Sequence, residues 1–421
     1  MEIKMELQII SLLFLIFAIV IGFVKKINVG LVALGVALPL SMIGKIKPNV
    51  IFSGFPSKLF LTLLGTMFFF SILQENKTLE LLSKKVVLLV GKRAYLVPII
   101  IYIISYLFSA AGPGAISVQS IMVILAVSLA VEMKISIILM GALSILGAVG
   151  GTTSPIALTG IIVADLTSDM GIPKVVNSVF LGVSLANFIC AIVLYVFLKG
   201  YKIKIDIKAT NENLKFNKEQ KISLVSLLFL IVVVVGFQYD VGLVSFFLSV
   251  ILILLKVGDE KAAIKKIPWG VLILISGVSV LMNVTKTMGG IDLLADILSS
   301  MMNDKTAPSV IGLTAGLMSW FSSANGVVFP TLIPTVSKIV TDIGGNISAI
   351  ELIIAIVGGA TVAGISPLST GGSLILAAYS QETDSTEKDE QNLFAKLFIT
   401  SFFVVIIITI FAFLGIFKIF S

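Results

Sequence analysis

Of 421 residues, 57% are hydrophobic and 13% charged, and mean hydropathy is +1.13. A soluble domain carries roughly 25% charge, so this composition is that of a polytopic membrane chain. Histidine is absent and Cys190 is the single cysteine, which excludes His-based metal sites, Ser-His-Asp and Cys-His catalysis and an internal disulfide. The net charge of +7 does not signal nucleic acid, because the lysines lie mostly in short loops between apolar spans.

In chain order, the first apolar run, Leu7 to Val24, has no small-residue cleavage site and leads straight into a second span. It reads as retained rather than as a signal peptide. Spans are expected at 8–24, 28–44 and 59–74. Thr78 to Val90 alternates leucine and valine with Glu80, Lys84 and Lys85, the pattern of a helix lying at the interface. An uncharged run from Ala94 to Val131 is divided at Ser109-Ala110-Ala111-Gly112-Pro113-Gly114, which predicts a re-entrant hairpin over 94–131.

Ile135 to Ala164 is also uncharged, at 30 residues. That is too long for one simple span of about 20 residues and too short for two. Gly150-Gly151-Thr152-Thr153-Ser154-Pro155 interrupts it, so a helix broken near mid-membrane is expected over 135–169. A span at 175–198 and a lysine-rich linker at 200–220 follow.

The second half answers the first at a constant offset of 212: Asn28 with Asp240, Glu80 with Asp292, Ser154-Pro155 with Ser366-Pro367. A second hairpin is expected at 306–337, divided at Ser322-Ser323-Ala324-Asn325-Gly326, and a second broken helix at 352–381. The predicted fold is an all-α polytopic membrane protein of two inverted repeats, 1–199 and 221–421. Each has about five transmembrane helices, one re-entrant hairpin and one broken helix. With the linker cytoplasmic, 21 of the 30 Lys and Arg fall inside, and both termini are extracytoplasmic.

Paired breaks of this kind point to a secondary transporter's binding site. Free N–H groups of half-helix N-termini favour an anion, and unwound carbonyls favour a cation such as Na⁺. The first half offers Ser109, Gly112, Gly114, Thr152, Thr153, Ser154 and Thr159. The second offers Ser322, Ser323, Asn325, Gly326, Ser366, Ser369, Thr370 and Ser373. Expected Na⁺ ligands lie among Ser109, Gly112, Thr153, Ser322, Asn325 and Ser366. The competing reading for any single Gly, Ser or Thr is close helix packing. Neither broken segment holds a carboxylate or lysine, and Asp165 and Asp169 lie at the far end, which favours Na⁺ over a proton relay.

The order of hairpin, broken helix, linker, hairpin and broken helix resembles the ion transporter superfamily, especially its divalent anion:sodium symporters. Ser154-Pro155-Ile156-Ala157-Leu158-Thr159-Gly160 resembles the corresponding stretch of the malonate (dicarboxylate) carrier branch, and Ala111-Gly112-Pro113-Gly114 resembles its first hairpin tip. The resemblance implies an elevator-type symporter of the cell membrane, a homodimer carrying dicarboxylates with a cation and no other cofactor. The symporters' Ser-Asn-Thr signature is absent from the first tip, and only Asn325 matches it in the second. A Na⁺/H⁺ antiporter or a citrate or inorganic-anion permease of the same superfamily is the alternative. An intramembrane enzyme is disfavoured, since no His or buried Asp pair is evident.

Overall fold

The computed structural model of the chain describes residues 2–25, 27–78, 80–81, 85, 93–170, 175–203, 215–237 and 239–421. Most of the expected interfacial segment 78–90 and the middle of the 200–220 linker lie outside the described residues. Among those described, every regular element is helical. Eight helices are long and apolar enough to cross a membrane, and six shorter apolar ones of 10–17 residues accompany them. The chain is a multi-pass membrane protein.

The first half runs α1 (Glu2–Lys25), α2 (Val29–Ile43), α3 (Pro48–Ser53), α4 (Ser57–Glu75), α5 (Val97–Ala110), α6 (Gly114–Glu132), α7 (Ile137–Gly151), α8 (Leu158–Thr167) and α9 (Val175–Phe197). The second runs α10 (Lys218–Ile231), α11 (Val241–Leu254), α12 (Glu260–Lys266), α13 (Trp269–Thr287), α14 (Gly290–Ser300) and α15 (Ala307–Phe321). It continues with α16 (Phe329–Leu332), α17 (Val336–Ile343), α18 (Ala349–Val362), α19 (Thr370–Glu382) and α20 (Glu387–Phe413). A π-helical turn at Ala324–Val328 leads into α16.

Helix starts keep the 212-residue offset at 29 and 241, 57 and 269, 137 and 349, 158 and 370, and 175 and 387. The caps keep it too. Asn28 accepts from the Gly30 N–H and Asp240 from the Leu243 N–H, each at 2.9 Å. Ser136 accepts from the Leu139 N–H and Ser348 from the Ile350 N–H, each at 3.2 Å. A side-chain acceptor at each of these N-caps satisfies a donor that the helix itself leaves unpaired.

Two packing units follow from glycine placement. In one, α2 crosses α13 and α4 crosses α11. A Cβ built on Gly277 would lie 2.1 Å from the Gly30 carbonyl oxygen, and one on Gly65 would lie 2.3 Å from the Gly242 oxygen. In the other unit, α5 packs along α7 and α15 along α18. There a Cβ on Gly147 would lie 2.3 Å from the Tyr102 oxygen and one on Gly359 2.2 Å from the Gly312 oxygen. Only side-chain-free positions let backbones approach this closely, which is how helices associate where no hydrophobic drive separates protein from lipid.

The helix breaks lie inside the second unit. Residues 139–151 of α7 and 351–362 of α18 are buried throughout. Pro155 and Pro367 disfavour helix at the preceding serine, and the chain turns. In the first break, Ser154 O accepts from the Ala157 N–H at 2.9 Å, and Thr152 O accepts from Thr159 N at 3.0 Å and Gly160 N at 3.1 Å. In the second, Ser366 O accepts from the Ser369 N–H at 2.9 Å and the Ser369 hydroxyl at 2.7 Å. The chain then closes on itself. A Cβ on Gly160 would lie 2.0 Å from Ser154 O, and one on Gly372 would lie 2.2 Å from Ser366 O. Both breaks are thus sealed by the third residue of the following half-helix lying against the serine carbonyl.

Gly160→Ala or Gly372→Ala should therefore cost about 1–3 kcal/mol, as overpacking against fixed backbone does. Gly35 on α2 has open space around its Cβ position and serves as the control. Thermal unfolding of the purified variants checks this: lowered midpoints are expected for the first two and an unchanged one for Gly35→Ala.

Candidate functional site

The two hairpin tips and the two breaks meet. Gly112 and Gly114 flank Pro113 at the first tip with φ of +140° and +74°, values that favour glycine, and α6 starts immediately behind them. The Ala115 N–H in its first turn donates to Thr152 Oγ1 at 3.2 Å. Thr152 and Thr159 hydroxyls lie 3.3 Å apart, and Thr159 Oγ1 donates to Asn325 Oδ1 at 2.8 Å. Since the Thr159 proton goes to Asn325, the Thr152 proton must go to Thr159. One ordered relay therefore joins the first tip, both sides of the first break and the second tip. It occupies the Asn325 oxygen, and Asn325 Nδ2 makes no hydrogen bond among the described residues.

A cavity of about 250 Å³ lies against this relay. Of the residues expected from sequence, Thr152, Thr159, Ser322, Ser323, Asn325, Ser369 and Thr370 line it. The described residues around it include no Asp, Glu, Lys or Arg. Thr370 and Gly371 open α19, whose first N–H groups have no partner within the helix. Ser369 does not cap them with its side chain, because its hydroxyl turns back to the Gly364 and Ser366 carbonyls. At α8 the corresponding donors are taken by Thr152 O, so the two half-helices differ.

Other expected residues shape the site without facing it. Gly112 lies against Phe70, where a Cβ would stand 2.6 Å from the ring, and Gly326 lies against Leu274 of α13. The Ser366 hydroxyl accepts from the Leu368 N–H at 3.3 Å and Thr153 donates to Gly150 O at 2.8 Å, both within their own breaks. Ser154 is buried and contributes through its carbonyl. Ser109 is buried behind the tip with a hydroxyl that has no partner among the described residues. Ser373 donates to Thr370 O at 2.9 Å.

The cavity also has lining residues that the motifs did not mark: Gln119 of α6, Ser319 of α15 and Thr361 of α18. Gln119 had a readable signal, being the one amide side chain in the uncharged run from Ala94 to Val131. A larger cavity of about 510 Å³ lies at the far end of α8, among Asp165, Ser168, Asn283 and Lys286. None of the expected residues lines it, and its lining includes the charged side chains of Asp165 and Lys286.

The hydroxyls around the smaller cavity are largely spent as donors. Ser319 donates to Ala360 O at 2.7 Å, Ser322 to Met318 O at 2.7 Å and Thr361 to Val357 O at 2.8 Å. Their oxygens keep lone pairs, the ligands a hard cation takes. Donors left for an anion are the amides of Asn325 and Gln119, the first N–H groups of α19 and the hydroxyls of Ser323 and Thr370.

Residues 5–152 match the family described as the dicarboxylate carrier protein MatC N-terminus. No curated protein sequence matches the chain. The matched stretch runs from α1 to α7 and ends on Thr152, the first hydroxyl of the relay. Thr159 and Asn325 lie beyond the matched residues, so the relay is completed by parts of the chain outside that stretch.

Thr159→Val removes the middle of the relay at nearly constant shape. The Asn325 amide then loses its fixed orientation, and affinity for a small anion should fall about 5- to 30-fold, the scale of one hydrogen bond. Asn325→Asp keeps the acceptor but replaces the free donor with a charge, and should weaken anion binding further. Calorimetric titration of the purified variants with a small dicarboxylate distinguishes these losses from an unchanged constant.

Proposed function

We propose that the chain is a secondary active transporter that imports a small organic anion, a dicarboxylate, coupled to Na⁺. The observation that carries this reading is the charge-free cavity where two hairpin tips and two helix breaks converge. The match over residues 5–152 supports the choice of a dicarboxylate. Placing an unpaired charge in a low-dielectric site is costly, and no lysine or arginine among the lining residues offsets a dianion here. A co-bound cation supplies the missing charge. The hydroxyl lone pairs of Ser322 and Thr361 and the break carbonyls suit Na⁺, while no lining carboxylate offers to carry a proton. The buried, unpartnered Ser109 hydroxyl is a further ligand candidate.

The proposed architecture is two inverted repeats of about five crossings each. The shared offset of helix starts, N-caps and the Gly160 and Gly372 seals supports it. The approach arms α5 and α15, at 14 and 15 residues, reach about 21 Å at 1.5 Å per residue, short of a hydrocarbon core of about 30 Å. The return arms, Gly114–Glu132 and Ala324–Ile343, are each long enough to cross, so the re-entrant reading rests on the short approach arms and on the small, uncharged tips. The unit holding both breaks is the moving part of an elevator, and the unit of α2, α4, α11 and α13 is its frame.

In proteoliposomes, uptake of labelled succinate or malonate should require an inward Na⁺ gradient. Undiminished uptake without Na⁺, driven by a pH gradient, would refute the coupling. For topology, cysteines placed singly at Asn211 and Ser421 should react with an impermeant reagent from opposite sides; Cys190 is buried and does not interfere. Reaction of both from one side would sink the inverted arrangement.

A further inference from the structure

We infer that Gln119 determines substrate specificity by receiving the second carboxyl group of a short dicarboxylate, the first being held at Asn325 and the start of α19. This rests on the transport reading above. Gln119 is 4% exposed and lines the cavity, yet its amide makes no hydrogen bond among the described residues. Its amide atoms are not among the fully enclosed unpartnered polar atoms, so they open onto the cavity rather than being sealed in the core, where a leucine or methionine would fill the same volume. The position 212 residues on holds Thr331, whose hydroxyl donates to Val327 O of its own helix at 2.7 Å. Position 119 departs from that locally satisfied pattern and points its chemistry at the cavity.

The placement matches a two-ended ligand. Gln119 stands one turn along α6 from Ala115, about 6 Å at 1.5 Å per residue, and on the same face. The Ala115 N–H is already engaged by Thr152, so it offers nothing to the ligand's far end. The hydroxyls of Ser319 and Thr361 are committed to helix carbonyls. Gln119 is therefore the free side-chain donor on the first-half wall of the cavity.

An amide carries both a donor and an acceptor. It binds a carboxylate through its NH₂ group, and a protonated carboxyl or a carboxamide through both atoms. It has nothing to offer a methyl group. A lysine or arginine in its place would demand an anion. The distal-group preference should therefore be for any planar polar end, whether or not it is charged, over an apolar one.

Succinate, succinamate and butyrate share one length and differ only at that end. Titrated into the purified full-length chain in Na⁺ buffer, succinate and succinamate should bind within about tenfold of each other, and butyrate roughly tenfold or more weaker. In Gln119→Met the three constants should converge to within about threefold, because the hydrogen bond to the distal end is gone. In Gln119→Glu, succinate should fall on the order of tenfold below succinamate, since carboxylate now faces carboxylate. A Gln119→Met variant that keeps the wild-type ranking overturns the role of Gln119 alone, as does wild-type protein that rejects succinamate as it rejects butyrate. Wild-type protein that binds none of the three overturns the transport reading and this inference together. Should both variants fail to fold, the wild-type ranking alone decides.

Discussion

The structure depends on one constraint: backbone groups freed in the middle of a buried helix must find partners in protein. Pro155 and Pro367 disfavour helix at the preceding serines, and the surrounding chain absorbs the breaks that form there. It does so locally. Serine carbonyls take the turning N–H groups, and Gly160 and Gly372 let the next half-helix press against those same carbonyls. With the broken segments self-contained, the side chains of Thr152, Thr159 and Thr370 are released for work in the cavity. Had the hydroxyls been needed to satisfy the backbone, as at Ser366 and Thr153, the cavity would hold fewer polar groups.

That division also sets the electrostatics. A hydroxyl that donates to its own helix keeps lone pairs outward and becomes a cation ligand. An amide whose oxygen is engaged keeps its NH₂ and becomes an anion donor. Ser322 and Thr361 are of the first kind, and Asn325 is of the second because the relay through Thr159 takes its oxygen. Opposite ions can thus share a small cavity that carries no charge of its own. A site with fixed lysines would hold the dianion equally well with or without Na⁺, and binding would not be linked. Under the proposed Na⁺ coupling, neutral walls would make each ion the other's counter-charge.

Much of this architecture was legible in the sequence. Uncharged runs of 30 residues broken by Ser-Pro located both breaks, and the tips at Gly112 and Asn325 were located by small residues dividing two other runs. The short helices α3 and α12 were not, since six or seven residues carry too few apolar positions to show a period. Nor was the π-helical turn at Ala324–Val328, whose residues would suit an ordinary helix start equally well. Within the site, residue type separated polar from apolar but not facing from sealing. Ser154 and Thr152 read alike in the sequence, yet the first acts through its carbonyl and the second through its hydroxyl. That difference is set by which way a six-residue turn folds, and no spacing rule carries it. Gln119 was passed over for the opposite reason, because it lies a turn inside α6 rather than in a break.

The offset of 212 residues relates skeletons better than it relates chemistry. Glycine seals, crossings and caps recur at Gly160 and Gly372, Gly65 and Gly277, Ser136 and Ser348. The groups that would touch a ligand do not recur. Thr159 is answered by Gly371, Gln119 by Thr331, and Asn325 by Pro113. Two breaks at a constant offset are alike in backbone, and a symmetric ligand could occupy either orientation between them. Loss of equivalence at these three pairs removes that degeneracy. One half-helix, α8, has its donors taken by Thr152 O, and the other, α19, leaves its own open. Open helix donors are therefore confined to one end of the cavity, and hydroxyl lone pairs are concentrated on the wall of α15 and α18. The constant offset sets the backbone frame of the cavity, and the departures from it make its two ends chemically different.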